Sequence, residues 1–332
     1  MVKDSYDVAV IGGGAAGLGA ALTLARARRS VLVVDDGTPR NAPAGHVHNY
    51  LTRDGTPPSE LLAAGRAEVA GYGGEIVDGR VVTARRTDDG TFTVELADGG
   101  PVRARRVIVT TGLVDELPDV PGLASRWGRD VLHCPYCHGW EVRDRSIAVL
   151  ATTTAWALHQ ALLFRQLSSD ITVLLHTASD PDPDERERLD ARGIRVVSGK
   201  VAEIEVTGDR LSGVRLVSGE VVGCDALVVA PRFVARTEVF TGLGLHPREH
   251  VVNGHVLGSA IPADPSGATD VPGVWVAGNV TNLAAQVIGA AAGGVATAGA
   301  VNADLVEEDT RLAVEQRRRR HDASSTEDER EA

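Results

Sequence analysis

Apolar residues along this chain recur in two rhythms. Short runs such as Asp7–Ile11 and Val31–Val34 have the length of buried strands, while Leu18–Arg28 between them is Ala/Leu-rich and has the length of a helix. Strand, helix and strand in about thirty residues make a βαβ unit with its two strands parallel. The rhythm returns further on. Val107–Thr110 reads as a strand, and Ile147–Leu150, Ala155–Gln166 and Ile171–Leu175 read as strand, helix and strand. A Pro/Asp-rich loop and a hairpin region follow, then a strand at Ala226–Ala230. Near the C-terminus a turn at Thr269–Gly273 enters a buried strand that ends at Ala277, and an Ala/Gly-rich helix runs from about Gln286 to Leu305.

The proline-punctuated segment Leu117–Gly122 reads as a crossover between two such patterns. The expected fold class is therefore α/β with two Rossmann-like domains. One is discontinuous, residues 1–116 and 246–306, and the other, 117–245, is inserted into it. Residues 307–332 form a charged tail in which Arg317–Arg320 lies close to an acidic run, the pattern of a solvated terminus.

Composition narrows the function classes. A chain of 332 residues with 43% hydrophobic content is long enough for two cores. Its net charge of -11 argues against nucleic acid as a partner, since phosphates demand a basic surface. No run approaches the eighteen or so apolar residues that span a bilayer, and the N-terminus lacks the basic-then-apolar pattern of a signal peptide, so the expected location is the cytoplasm, with no membrane partner. In a reducing compartment three cysteines do not make a disulfide framework.

Two features carry chemistry. Gly12-x-Gly14-x-x-Gly17 follows the first strand and opens the first helix. The first glycine permits a tight turn, the second lets backbone approach a pyrophosphate, and the third lets helix pack on strand. Gly12, Gly14, Ala15, Ala16 and Gly17 are thus expected to hold a dinucleotide at the helix N-terminus, with Asp35 rather than Asp36 accepting its ribose hydroxyls. The second feature is Cys134-Pro135-Tyr136-Cys137, which reads as a thiol–disulfide switch or half of a metal site. No second Cys-x-x-Cys occurs, and His133, His138 and the cysteines are too closely spaced for a tetrahedral set, so no metal is expected. Cys224 precedes a buried strand and reads as an inert core thiol.

The glycine fingerprint does not distinguish FAD from a nicotinamide cofactor. The segment Val274–Asn279 and the helix after it resemble the second flavin motif of two-domain disulfide reductases, with Asn279 where that motif carries aspartate. Across residues 5 to 305, the order of glycine fingerprint, Thr110-Thr111-Gly112, cysteine pair, inserted domain and Gly278-Asn279 resembles low-molecular-weight thioredoxin reductase. Cys-Pro-Tyr-Cys-His-Gly-Trp, Pro39-Arg40-Asn41-Ala42 and Ala277–Asn282 are closer to a sub-branch of dithiol oxidases, those closing the disulfides of holomycin-type dithiolopyrrolones and gliotoxin-type epidithio compounds. The resemblance implies FAD as cofactor and a homodimer. It adds Arg40, Asn41, Val82, Thr111, Gly112, Gly278, Asn279, Gln286 and Val287 as cofactor contacts, Val82 through its backbone at the adenine. It makes Cys137 the flavin-proximal thiol and Cys134 the one that exchanges with substrate.

Departures from the parent family point to the direction of electron flow. Where thioredoxin reductases carry a glycine-rich loop for NADPH, this chain has Ala151-Thr152-Thr153-Thr154-Ala155-Trp156, and no arginine follows the next strand, at Leu174–Asp180. Without glycine, backbone cannot approach a phosphate there. The expected function is an FAD-dependent dithiol oxidase with a small-molecule dithiol as substrate and O2 as terminal acceptor, giving H2O2. The alternatives are an NADPH-dependent thioredoxin/disulfide reductase and a flavoprotein that senses redox state without turnover. His138 replaces the family's aspartate after the second cysteine and is expected to take the thiol proton as a third catalytic residue. His133 is a weaker candidate for tuning the pair, and His46 and His48 read as structural.

Overall fold

In the computed structural model, which describes residues 3–252 and 254–331 (the backbone alone at Glu238, Val239 and 322–331), the first βαβ unit forms where the apolar pattern places it. β1 (Ser5–Ile11) passes through the glycine loop into α1 (Ala15–Arg26), and β2 (Val31–Asp35) returns parallel to β1 with Val10 beside Val33. α2 (Pro58–Gly71) and β3 (Glu75–Asp78) extend the sheet outward. A meander of β4 (Val81–Arg86), β5 (Phe92–Leu96) and β6 (Pro101–Val109) then returns to its centre. β6 runs parallel to β1 along one edge, and along the other it pairs first with β5 and then with β19 (Val274–Val276), almost two hundred residues on.

Between those pieces β7 (Leu113–Glu116) leads out to the inserted unit. There β8 (Val131–Leu132), α3 (Pro135–His138), β9 (Ile147–Leu150), α4 (Thr154–Phe164), β10 (Ile171–Leu174), α5 (Pro183–Ala191) and β11 (Arg195–Val197) follow in order. The hairpin region is a small antiparallel sheet of β12 (Val201–Thr207), β13 (Arg210–Leu216) and β14 (Val221–Val222). β15 (Ala226–Val229) completes a parallel sheet in the order β11-β10-β9-β15-β8. β9, β10 and β15 are buried at every position, as strands covered on both faces must be. β16 (Arg232–Ala235) returns antiparallel to β7 in a sheet completed by β17 (Arg248–Val252) and β18 (His255–Ala260).

The last helix, α6, spans Val287–Glu331 and is longer than the pattern suggests. Its glycines serve packing. A Cβ on Gly294 would lie 2.0 Å from the Ala16 carbonyl oxygen, and one on Gly19 would lie 2.7 Å from that of Ala291, so α1 and α6 touch backbone to backbone. The expected solvated tail begins as part of this helix. Glu308 pairs with Arg105 and Arg106, and Asp309 with Arg29 and Arg105, which anchors its first turn on the flavin-side sheet. No helix terminator interrupts the sequence there; Ala332 lies outside the described residues. Among the described residues no helix is long and apolar enough to cross a membrane.

Candidate active site

A cavity of about 1060 Å3 opens at the carboxyl ends of β1, β2, β6 and β19 and extends to the cysteine pair. Its walls include Gly12, Gly14, Ala15, Ala16 and Asp35 from the first βαβ unit. Arg40, Asn41, Thr111 and Gly112 join from loops, and Gly278, Asn279, Gln286 and Val287 from the C-terminal segment. Cys134, Cys137 and His138 close the far end. Two expected contacts are not on this wall. Gly17 is buried behind it, where an added Cβ would lie 1.9 Å from the Gly12 carbonyl oxygen. The Val82 side chain is exposed, as alternation along β4 dictates, while Arg80 and Val81 line the cavity; the contact expected of Val82 is through its backbone, which side-chain direction does not decide. Gly289, Gly293 and Gly294 of α6 also lie off the wall, which Ala290 reaches.

The three fingerprint glycines separate by cause. Gly12 has φ +108°, and a Cβ there would lie 2.5 Å from the Thr110 carbonyl oxygen. Gly14 has an extended backbone that any residue adopts, and no protein atom lies within 4 Å of where its Cβ would be. Nothing in the protein excludes a side chain at Gly14; a pyrophosphate seated on the α1 N-terminus would, and the cavity fits FAD in this respect. The hydroxyl of Thr110, the first residue of the Thr110-Thr111-Gly112 motif, shares its hydrogen between the Ile11 and Gly12 carbonyls at 3.0 and 2.8 Å and holds the loop.

Other predicted contacts have partners of their own. Asp35 Oδ1 accepts from the Gly13 N–H at 3.1 Å and Oδ2 from Arg66 at 3.2 Å. The Arg40 guanidinium donates twice to Asp115, at 2.9 and 2.6 Å, and lies 5.0 Å over the Phe233 ring. Asp115 and Phe233 belong to the paired strands β7 and β16, so Arg40 fastens the cavity loop to the connection between units; no local motif marks either partner. Asn279 Nδ2 donates to the carbonyls of Asn282 and Ala285, both at 3.0 Å. A carboxylate could make neither bond, which accounts for the amide at this position.

Cys134 and Cys137 are disulfide-bonded, with Cα atoms 5.3 Å apart. Cys134 caps the single turn of α3, and Pro135 at its first position pre-sets the helical φ. The loop after β2 reaches over this turn: Asn49, at φ +58°, donates from Nδ2 to the Tyr136 carbonyl at 2.8 Å. His48 lies between Asp54 and Glu141, at 3.4 and 3.5 Å, and both His46 and His48 line the cavity. Burial holds His138 below the usual imidazole range; the Glu141 carboxylate opposes this and His48 adds to it. His138 is therefore neutral at pH 7 and competent to accept a proton. Burial also depresses His133, whose Nδ1–H donates to the Val229 carbonyl at 3.1 Å while its ring meets Phe233 edge-on. Cys224 lies in the inserted unit's core, where burial and Asp225 push its thiol up to about 12. Among the described residues no three His, Cys, Asp or Glu side chains converge to hold a metal.

The corresponding crevice of the inserted unit, at the ends of β9 and β15, measures about 140 Å3. Thr152, Thr153, Trp156, Ala230 and Pro231 line it, together with His133, Phe233 and Leu257, which also border the large cavity. Trp156 also lines the large cavity, separating the two spaces.

Comparison with known proteins agrees with this architecture. The family model described as pyridine nucleotide-disulphide oxidoreductase matches residues 6–299. A thioredoxin reductase of Leptosphaeria maculans, sirT, is 32% identical over 90% of this chain and 93% of its own length. The crystal structure of HlmI superposes with a TM-score of 0.87 at 46% identity, covering 95% of this chain and 97% of that one. An oxidoreductase from Agrobacterium tumefaciens gives 0.84 at 35% identity, covering 91% and 99%. The chain belongs to the pyridine nucleotide-disulphide oxidoreductase family and is an FAD-dependent oxidoreductase with the fold of low-molecular-weight thioredoxin reductase.

Proposed function

We propose that this enzyme oxidises a small-molecule dithiol to its intramolecular disulfide, with dioxygen as terminal acceptor. The observation that carries the reading is the contrast between two crevices: the disulfide opens onto the large cavity, while the turn after β9, with threonines and Trp156 where a phosphate-binding turn needs glycine, borders a crevice of only about 140 Å3. Electrons then enter through the cysteines. A substrate thiol gives its proton to His138 and attacks Cys134, expelling the Cys137 thiolate and leaving a mixed disulfide. The second substrate thiol gives its proton to the Cys137 thiolate, attacks the substrate sulfur of that bond and expels Cys134, which takes up the proton held by His138. The cyclic disulfide leaves, and the enzyme holds two electrons as a dithiol. FAD, when bound, would supply the two-electron acceptor for this dithiol and the reductant that converts dioxygen to hydrogen peroxide. Gly12 to Ala16, Asp35, Thr111, Gly112, Gly278, Asn279, Gln286 and Val287 would hold it, with the α1 N-terminus facing its phosphates.

The substrate class we favour is a compact sulfur-containing natural product such as a reduced dithiolopyrrolone or epidithio compound, acted on in the cytoplasm by a homodimer. Oxygen uptake with a reduced dithiolopyrrolone tests the activity: one peroxide and one cyclic disulfide per dithiol are expected, and turnover that requires NADPH would contradict it. A second reading, reduction of a protein disulfide with NADPH, draws on Leu51, Tyr136 and Trp140, which expose apolar surface near the pair as a protein partner would require. It predicts NADPH consumption with a thioredoxin-like protein.

A further inference from the structure

Among the described residues two buried side-chain atoms have no hydrogen-bond partner, His138 Nε2 and Gln160 Oε1. Both residues line the large cavity, and they lie on α3 and α4, which pack against each other. Trp156, His159, Gln160 and Leu163 form one stripe along α4 that faces the cavity, while Ala157, Leu158, Ala161 and Phe164 enter the inserted unit's core. Gln160 is 4% exposed. A leucine there would leave no orphan acceptor, so a bare amide oxygen in this position calls for a donor that arrives during the reaction cycle.

The two orphans are complementary. A carboxamide oxygen only accepts, and an imidazole Nε2 that carries hydrogen only donates. We propose that Gln160 is a positioning residue for His138. Its Oε1 accepts from Nε2–H, which fixes the tautomer, leaves the Nδ1 lone pair for the substrate thiol proton, and stabilises the imidazolium that results. The bond is open in this structure and forms when substrate fills the cavity, as catalytic hydrogen bonds commonly tighten on binding. The logic is that of a base oriented by a third group. This inference rests on the dithiol-oxidase reading. Other groups with influence on His138 are Glu141 and His48, with His159 of α4 and His133 on the same cavity wall.

The test uses FAD-loaded enzyme, dithiothreitol and oxygen uptake across pH. The acid limb that belongs to His138 is the one that disappears in His138→Gln. Gln160→Leu lowers kcat about tenfold, the effect of one hydrogen bond to a charged group, with KM and bound flavin unchanged. It moves the acid limb to lower pH, because the imidazolium has lost an acceptor. Gln160→Glu moves the limb to higher pH. In a His138→Gln background neither change has further effect. Limbs that coincide with wild type, or a Gln160→Leu loss that persists undiminished without His138, would overturn the proposal while leaving the oxidase reading intact. A wild-type enzyme that fails to oxidise dithiothreitol would remove the reading on which it rests.

Discussion

The flavin-side unit and the inserted unit share one plan, a parallel sheet whose first strand turns into a helix, yet the turn after β1 opens onto a cavity of about 1060 Å3 that both units line, while the turn after β9 borders a crevice of about 140 Å3. The central strands are buried in both units: β9, β10 and β15 at every position, β1 over Val8–Ile11, β2 over Val31–Val34 and β6 over Val107–Val109. What differs is the turn after the first strand. Gly12-Gly13-Gly14 leaves backbone open to the cavity, whereas Thr152, Thr153 and Trp156 present side chains to the small crevice at the corresponding turn. Core and crevice depend on different residues, so a fold can keep its strands while the chemistry of its crevice changes.

The largest effect expected on this contrast comes from the cysteines. Replacing Cys134 and Cys137 together by serine lowers dithiol oxidation by about a thousandfold or more, as for other lost nucleophiles, with FAD still bound by its absorbance. Loss of FAD in that variant would make the pair structural. Gly14→Ala comes next: the backbone accepts it, so the cofactor-free protein keeps its Tm while FAD affinity falls roughly ten- to a hundredfold, the cost of overpacking by one methyl. Gly17→Ala reverses this pattern, since its Cβ meets the Gly12 carbonyl, and it lowers Tm whether or not FAD is present. Asn279→Asp removes two donated bonds and destabilises the flavin-side unit by about 1–3 kcal/mol in denaturant titration.

The smallest effect is a pH dependence from the buried imidazoles. His133 and His138 have folded pKa values below their unfolded ones, so the unfolded chain binds more protons in that window. Stability is complete above the unfolded value of about 6.5 and falls as pH drops from there toward the folded values. His133→Gln reduces that slope in melts between pH 7 and 5.

The sequence made the strands, the glycine loop and the cysteine turn legible because each depends on local spacing. Two-unit connectivity was legible too, since the C-terminal strand carries its own flavin-type ending. Contacts set by distant partners were hidden. Nothing local marks Asp115 as the anchor of Arg40, or Glu308 and Asp309 as partners of Arg105, and the length of α6 follows from that docking as much as from helical propensity. Gln160 emerged only once burial was known, as an orphan acceptor on a helix that otherwise reads as apolar.

The central claim is that electrons enter through the thiols and not from a nicotinamide. Anaerobic stopped-flow mixing of the FAD-loaded enzyme with NADPH or with a reduced dithiol, followed at the flavin absorbance band, tests it directly. The account predicts rapid bleaching by the dithiol, recovery when oxygen is admitted, and no bleaching by NADPH; rapid bleaching by NADPH without added thiol would contradict it.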